Sequence, residues 1–168
     1  MEQSLDKKPD LKDTLTNFLN KNRMKFLLFA ILILIILTTF YILNENKKRK
    51  NNLIAEKYVK AGLLLSKNQN KEAKEYYENI ILSNNEFYSL LALNTILEKK
   101  LIKDDQKIIN YFSQLEKKSS SSELLDLILF KKALFLIKIN DFESGKKILE
   151  NLISKNSNLK SAAQEIIK

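Results

Sequence analysis

Phe26 to Leu43 reads FLLFAILILIILTTFYIL, eighteen consecutive residues without a charge. As a helix rising about 1.5 Å per residue, the run spans roughly 27 Å, close to the thickness of a bilayer hydrocarbon core. A helix packed into a soluble core keeps a polar face, and this one has none. Thr38 and Thr39 cost little, because a hydroxyl bonds back to a carbonyl of its own helix. Phe40 and Tyr41 stand near one end, where aromatic rings suit the membrane interface. A cleavable signal peptide would be shorter and would end in small residues. Here the run ends Tyr41-Ile42-Leu43-Asn44, with no Ala-x-Ala pattern. The expectation is an uncleaved, single-pass transmembrane helix over residues 26–43. It separates an N-terminal tail (1–25) from a basic juxtamembrane linker (44–52) and a helical domain (53–168).

The formal charge of +9 raises the question of a nucleic-acid or anionic-lipid partner. Most of the excess lies beside the apolar run, in Lys21, Arg23 and Lys25 and in Lys47, Lys48, Arg49 and Lys50. Elsewhere Lys and Glu intermingle, as on a solvated helical surface. Arg23 and Arg49 are the only arginines, and no basic helix carries interleaved aromatic rings, so no nucleic-acid partner is expected. Charge does not orient the span. Residues 6–25 hold six basic residues and residues 44–63 also hold six, a tie under the positive-inside rule.

In the tail, Pro9 can open a short helix over Leu11 to Asn20. Leu11, Leu15, Phe18 and Leu19 then fall on one apolar stripe. Such a helix either lies on the membrane or a partner, or leads into the anchor.

Past the anchor, the domain contains Gly62 and Gly145 and no proline. Turn-rich β folds draw heavily on both residue types, so an all-α fold is expected. The apolar spacing groups into helix pairs of tetratricopeptide type, in which small residues mark where paired helices cross closely. The first pair places Tyr58, Gly62 and Leu65 on one helix and Ala73, Tyr77 and Ile80 on the next. A degenerate second pair uses Tyr88, Ala92 and Thr95, then Ile108, Phe112 and Leu115, with extra residues around Leu101 to Asp105. The third uses Leu129, Ala133 and Leu136, then Gly145, Leu149 and Leu152, joined at Asn140-Asp141-Phe142. Lys138 to Ser144 (KINDFES) is the best local match. A short helix from Lys160 to Ile167 would cap the open end of the stack. Ser119 to Ser122 reads as an inter-helix connection with a serine cap for the helix at Glu123, the alternative being a mobile loop.

Chemistry is excluded more firmly than binding. The chain has no Cys and no His, which removes thiol and imidazole catalysis and the usual zinc ligand sets. Asp104 and Asp105 are adjacent, so their side chains diverge on a helix, and they read as a helix cap and a first-turn acid. Glu72, Glu75 and Glu78 read as a solvated face. No Gly-rich phosphate loop is present. No enzyme activity, cofactor, metal or small-molecule substrate is expected.

Binding to other proteins remains. In stacked helical pairs the first helices line a concave groove. Offsetting from the motif positions places Glu56, Val59, Leu63 and Ser66 there, then Glu86, Ser89, Leu93 and Ile96, then Leu127, Phe130, Leu134 and Ile137. The apolar members, Val59, Leu63, Leu93, Ile96, Phe130, Leu134 and Ile137, form the expected partner-binding groove for an apolar or amphipathic segment. The alternative is a groove filled by the C-terminal helix.

The plan resembles the ancillary Sec-translocon subunit family, single-pass bacterial inner-membrane proteins with a tetratricopeptide-like periplasmic domain. The residues carrying the resemblance are the anchor with its Lys-rich sequel, Ala55 to Leu65, Phe87 to Leu93 (FYSLLAL) and the helix pair around Lys138 to Leu152. The resemblance implies a cytoplasmic N-terminus and a periplasmic domain. It also implies an accessory role in protein export, with the Sec translocon and a periplasmic chaperone as partners. The rival expectation is a structural subunit held in a membrane or envelope-assembly complex mainly through its transmembrane helix.

Overall fold

The computed structural model describes residues 16, 18, 20–83 and 85–168. Most of the tail helix expected over Leu11 to Asn20 therefore lies outside the described residues. The regular structure of the described residues is all helical, with no strand: α1 (Arg23–Ser66), α2 (Asn70–Ile81), α3 (Glu86–Glu98), α4 (Asp105–Lys118), α5 (Ser122–Lys138), α6 (Phe142–Ser154) and α7 (Lys160–Ile166). The chain divides into two compact units, Met1–Arg49 and Lys50–Lys168.

In the first unit, α1 carries the apolar run. Its most apolar eighteen-residue window has a mean hydropathy of 2.9, and none of that window is buried. Among the described residues α1 is the one helix long and apolar enough to cross a membrane. Thr38 Oγ1 donates to the Leu34 and Ile35 carbonyls at 3.0 and 2.9 Å, and Thr39 Oγ1 donates to Ile35 at 2.8 Å. Both hydroxyls are thus satisfied within the helix. The basic stretch over residues 44–52 is helical as well, belonging to the same continuous α1.

The second unit is a series of helices in which each packs on its neighbour in sequence. Three-residue turns join α1 to α2, α4 to α5 and α5 to α6, short enough to make each pair neighbours in space. The main core runs from α1 to α5, with Ala61, Ala73, Tyr77, Ile80, Ala92, Leu93, Ile96, Phe112 and Leu115 among its buried members. A smaller cluster of Ala133, Leu149, Leu152 and Ala163 joins α5, α6 and α7. Tyr58 ties the first three helices together. Its ring meets Tyr77 edge-on at 5.5 Å, and its hydroxyl lies 3.0 Å from Thr95 Oγ1.

The small residues mark close crossings, with one change of register. A Cβ on Gly145 would lie 2.9 Å from the Ala133 carbonyl oxygen and 2.7 Å from Ile137 Cγ1, so α5 and α6 meet where only hydrogen fits. A Cβ on Gly62 would meet nothing nearer than the Tyr77 hydroxyl at 3.9 Å. The buried small residue of that helix is the neighbouring Ala61, so the first helix pair's close contact sits one residue earlier than the sequence pattern placed it.

Both helix ends follow from local chemistry. Asn85, Asp104, Ser121 and Asp141 cap α3, α4, α5 and α6, each side chain accepting from the backbone N–H three residues on. At the other end, α1, α3, α5 and α6 stop on a left-handed residue, Asn68, Lys100, Asn140 and Asn156. In each case the next N–H reaches back five residues, from Gln69 to Leu64, Leu101 to Ile96, Asp141 to Leu136 and Ser157 to Leu152, at 2.9–3.1 Å. This is the Schellman closure, usually made with Gly. Three of the four closures use Asn, the side chain that best tolerates this conformation after Gly, which is how a chain with two glycines builds so many turns. Lys100, at φ 50°, is the exception.

Two of the domain's polar links join distant parts of the chain. Glu78, read from sequence as part of a solvated face, is half-buried and lies 2.7 Å from the Lys107 ammonium. That partner holds Lys107 above its ordinary pKa of 10.5. Glu86 Oε2 accepts from both the backbone N–H and the hydroxyl of Ser120, fixing the serine connection, which ends in the Ser121 cap.

Candidate partner-binding cleft

The expected groove residues do not form one surface. Val59 and Leu63 on α1 are well exposed, at 61% and 57%, and Leu134 on α5 is exposed at 36%. Leu93 and Ile96 are fully buried in the main core. The cause lies in the composition of α3, EFYSLLALNTILE, which is apolar nearly all round and touches neighbours on several sides. Offsetting from a buried position there reaches another buried position. Phe130 and Ile137 are partly buried against the Ala133–Leu149–Leu152–Ala163 cluster, so they pack towards the last helices. Leu93 and Ile96 are thus buried packing residues, while Phe130 and Ile137 keep partly open positions beside the last helices.

A different cleft opens in the same part of the domain, rotated by about one residue on each helix. Two adjoining hollows, of about 340 and 220 Å³, lie where the C-terminal halves of α3 and α5 meet the α3–α4 connection. Leu97, Phe135 and Lys138 border both. Ile102, Ile108 and Ile139 add apolar wall to the larger, while Asn94 and Leu134 line the smaller. Of the residues expected from sequence, Ile96 reaches this cleft from the core side and Leu134 forms part of its edge.

Around this apolar floor stand Lys100, Lys103, Lys131 and Lys138, against the carboxylates of Glu98 and Asp105. No ion pair among the described residues engages any of the four lysines; the pairs present are Lys107–Glu78, Lys132–Glu116 and Lys146–Glu150. The sequence held one signal of this site. Three helices end on Asn, whereas α3 ends Lys99-Lys100, at the rim of the larger hollow.

Among the described residues no group of carboxylates is placed to hold a metal ion. Asp104 and Asp105 take the helix-start roles expected of them, Asp104 Oδ1 accepting from the Lys107 N–H at 3.1 Å. The helix expected at the C-terminus is α7, whose Ala163 is buried beside Leu149 and Leu152, away from the cleft-lining residues.

Comparison with protein-family models, with curated proteins and with solved structures finds no match.

Proposed function

We propose that the chain is a membrane-tethered protein-interaction scaffold, and that it serves protein export as an accessory to the Sec translocon and its periplasmic chaperones. The observation that carries the scaffold role is the cleft between α3 and α5, apolar in its floor and unpaired in its charges. It adjoins no arrangement of residues suited to chemistry. The helix pairs, with Ala61, Ala73, Ala92, Ala133 and Gly145 buried, support a tetratricopeptide-type stack, an architecture that presents concave binding surfaces. The unburied apolar stretch of α1 supports the tether. Tethering raises the concentration of the cleft near a membrane complex without any new contact. The export assignment rests on the resemblance described above, as does the orientation with the domain in the periplasm.

Two experiments test these claims. Affinity purification of the full chain from detergent-solubilised membranes, carried out alongside Leu97→Asp and Leu134→Asp, reads the cleft. Both variants are expected to remain helical and to lose translocon or chaperone recovery; unchanged recovery from a folded double variant removes the cleft from the account. Replacing residues 26–43 with an unrelated membrane span separates scaffold from structural subunit. A scaffold keeps its partners, whereas a subunit held through its transmembrane helix loses them.

A further inference from the structure

We infer that the occupant of the α3–α5 cleft is an acidic, amphipathic peptide segment, with Leu- or Phe-sized side chains on the apolar floor and carboxylates on the lysine rim. The inference rests on the scaffold proposal and adds the chemistry of the partner. Three observations carry it.

The first is charge. Lys100, Lys103, Lys131 and Lys138 surround the two hollows, and none has an ion-pair partner among the described residues. Glu98 and Asp105 offset half of that charge, leaving a net positive rim. A basic or neutral apolar segment would leave these ammonium groups facing it uncompensated, and like charges across an interface are a strong discriminator.

The second is shape. Hollows of about 340 and 220 Å³ accept single large side chains. Their shared wall of Leu97 and Phe135 suits two such side chains from one segment, the pattern of anchored peptide recognition. A flat membrane surface could not fill them.

The third is the backbone of Lys100. Four helices close with a left-handed residue, three of them with Asn; α3 and α5 both end at the cleft, and the left-handed residue that itself lines it is Lys100, at φ 50°. A long charged side chain gains nothing for the turn there, and Asn or Gly would serve it better. Strain kept at a site where a better residue is available points to a role outside folding. That role is to present an ammonium group over the larger hollow.

The test is selection of binders from a random twelve-residue peptide library, against the full chain in phosphatidylcholine nanodiscs. Fluorescence anisotropy of the enriched peptides follows. The expected peptides carry Asp or Glu beside Leu or Phe. Lys100→Asn is expected to weaken their binding about two- to fivefold while raising the melting temperature by about 2–5 °C, so the loss does not come from unfolding. Paired Lys100→Glu and Lys138→Glu should cost on the order of tenfold, and Lys155→Asn, at the end of α6, should change nothing. Enrichment of basic or uncharged apolar peptides that Leu134→Asp displaces would overturn the acidic chemistry yet leave the scaffold standing. Failure to enrich any peptide, or binding indifferent to every cleft substitution, would overturn both. Loss of capture on changing to phosphatidylglycerol nanodiscs would show the lysines engaged by anionic lipid and would also overturn the inference.

Discussion

At the scale of single residues, the two glycines differ in what they do, and the difference is measurable. Gly145 lies where a Cβ would press on the Ala133 carbonyl and Ile137. Gly145→Ala is expected to destabilise the domain by about 1–3 kcal/mol, through forced separation of α5 and α6. Gly62→Ala meets no atom nearer than 3.9 Å, and it should stabilise by about 0.5–1 kcal/mol because Ala suits a helix interior better than Gly. Chemical denaturation of both variants checks the pair, and equal signs would refute the packing described. The sequence pattern identified Gly145 correctly because its partner helix is unambiguous. It misplaced the first helix pair's small residue because Ala61 and Gly62 are adjacent, and periodicity cannot choose between neighbours when both are small. At Lys100 the residue was visible in the sequence but its left-handed backbone was not, because Lys has no preference of its own for that conformation.

At the scale of elements, helix ends and buried phenols set the stability profile. Removing a cap by Asp104→Ala or Ser121→Ala is expected to cost about 1 kcal/mol each, read from the denaturation midpoint. Burial holds the Tyr77 and Tyr111 hydroxyls above their ordinary pKa of 10.0. A raised folded-state pKa contributes stability that is fully present below the unfolded value, and that is lost as pH rises through the folded one. Stability should thus be insensitive to these groups at neutral pH and should fall above about pH 10. Tyr77→Phe should shift the alkaline unfolding midpoint upward relative to the parent, as followed by circular dichroism; a downward shift would contradict the sign. The Lys107–Glu78 pair acts in the same direction, since Lys107 is raised by its Glu78 partner, but its partial exposure limits the contribution. The order of the helices from Asn70 onward and the caps at Asp104 and Ser121 were readable from spacing and cap residues, whereas residues 44–52, read as a linker, are part of the continuous α1. The lining of the cleft was not, because α3 is apolar on all sides. Its buried and open faces are decided by which helices surround it, and that information is tertiary.

At the scale of the whole chain, one apolar stretch long enough to cross a membrane precedes, in sequence, a compact helical unit. The candidate membrane span was the most legible feature of the sequence, because eighteen uncharged residues without a polar face form a helix long and apolar enough to cross a bilayer. Orientation was not legible, since basic residues balance across the span and only an asymmetry would choose a side. Protease added to intact spheroplasts should digest the C-terminal domain if it faces the periplasm; protection until lysis would reverse the proposed topology. The central claim is that residues 26–43 alone fix this helical domain to a bilayer. Carbonate extraction of membranes from cells producing the full chain, compared with a chain lacking residues 26–43, tests it most directly. The full chain should stay with the membrane pellet and the shortened chain should appear in the soluble fraction as a helical protein. Release of the full chain by carbonate, or retention of the shortened one, would contradict the account.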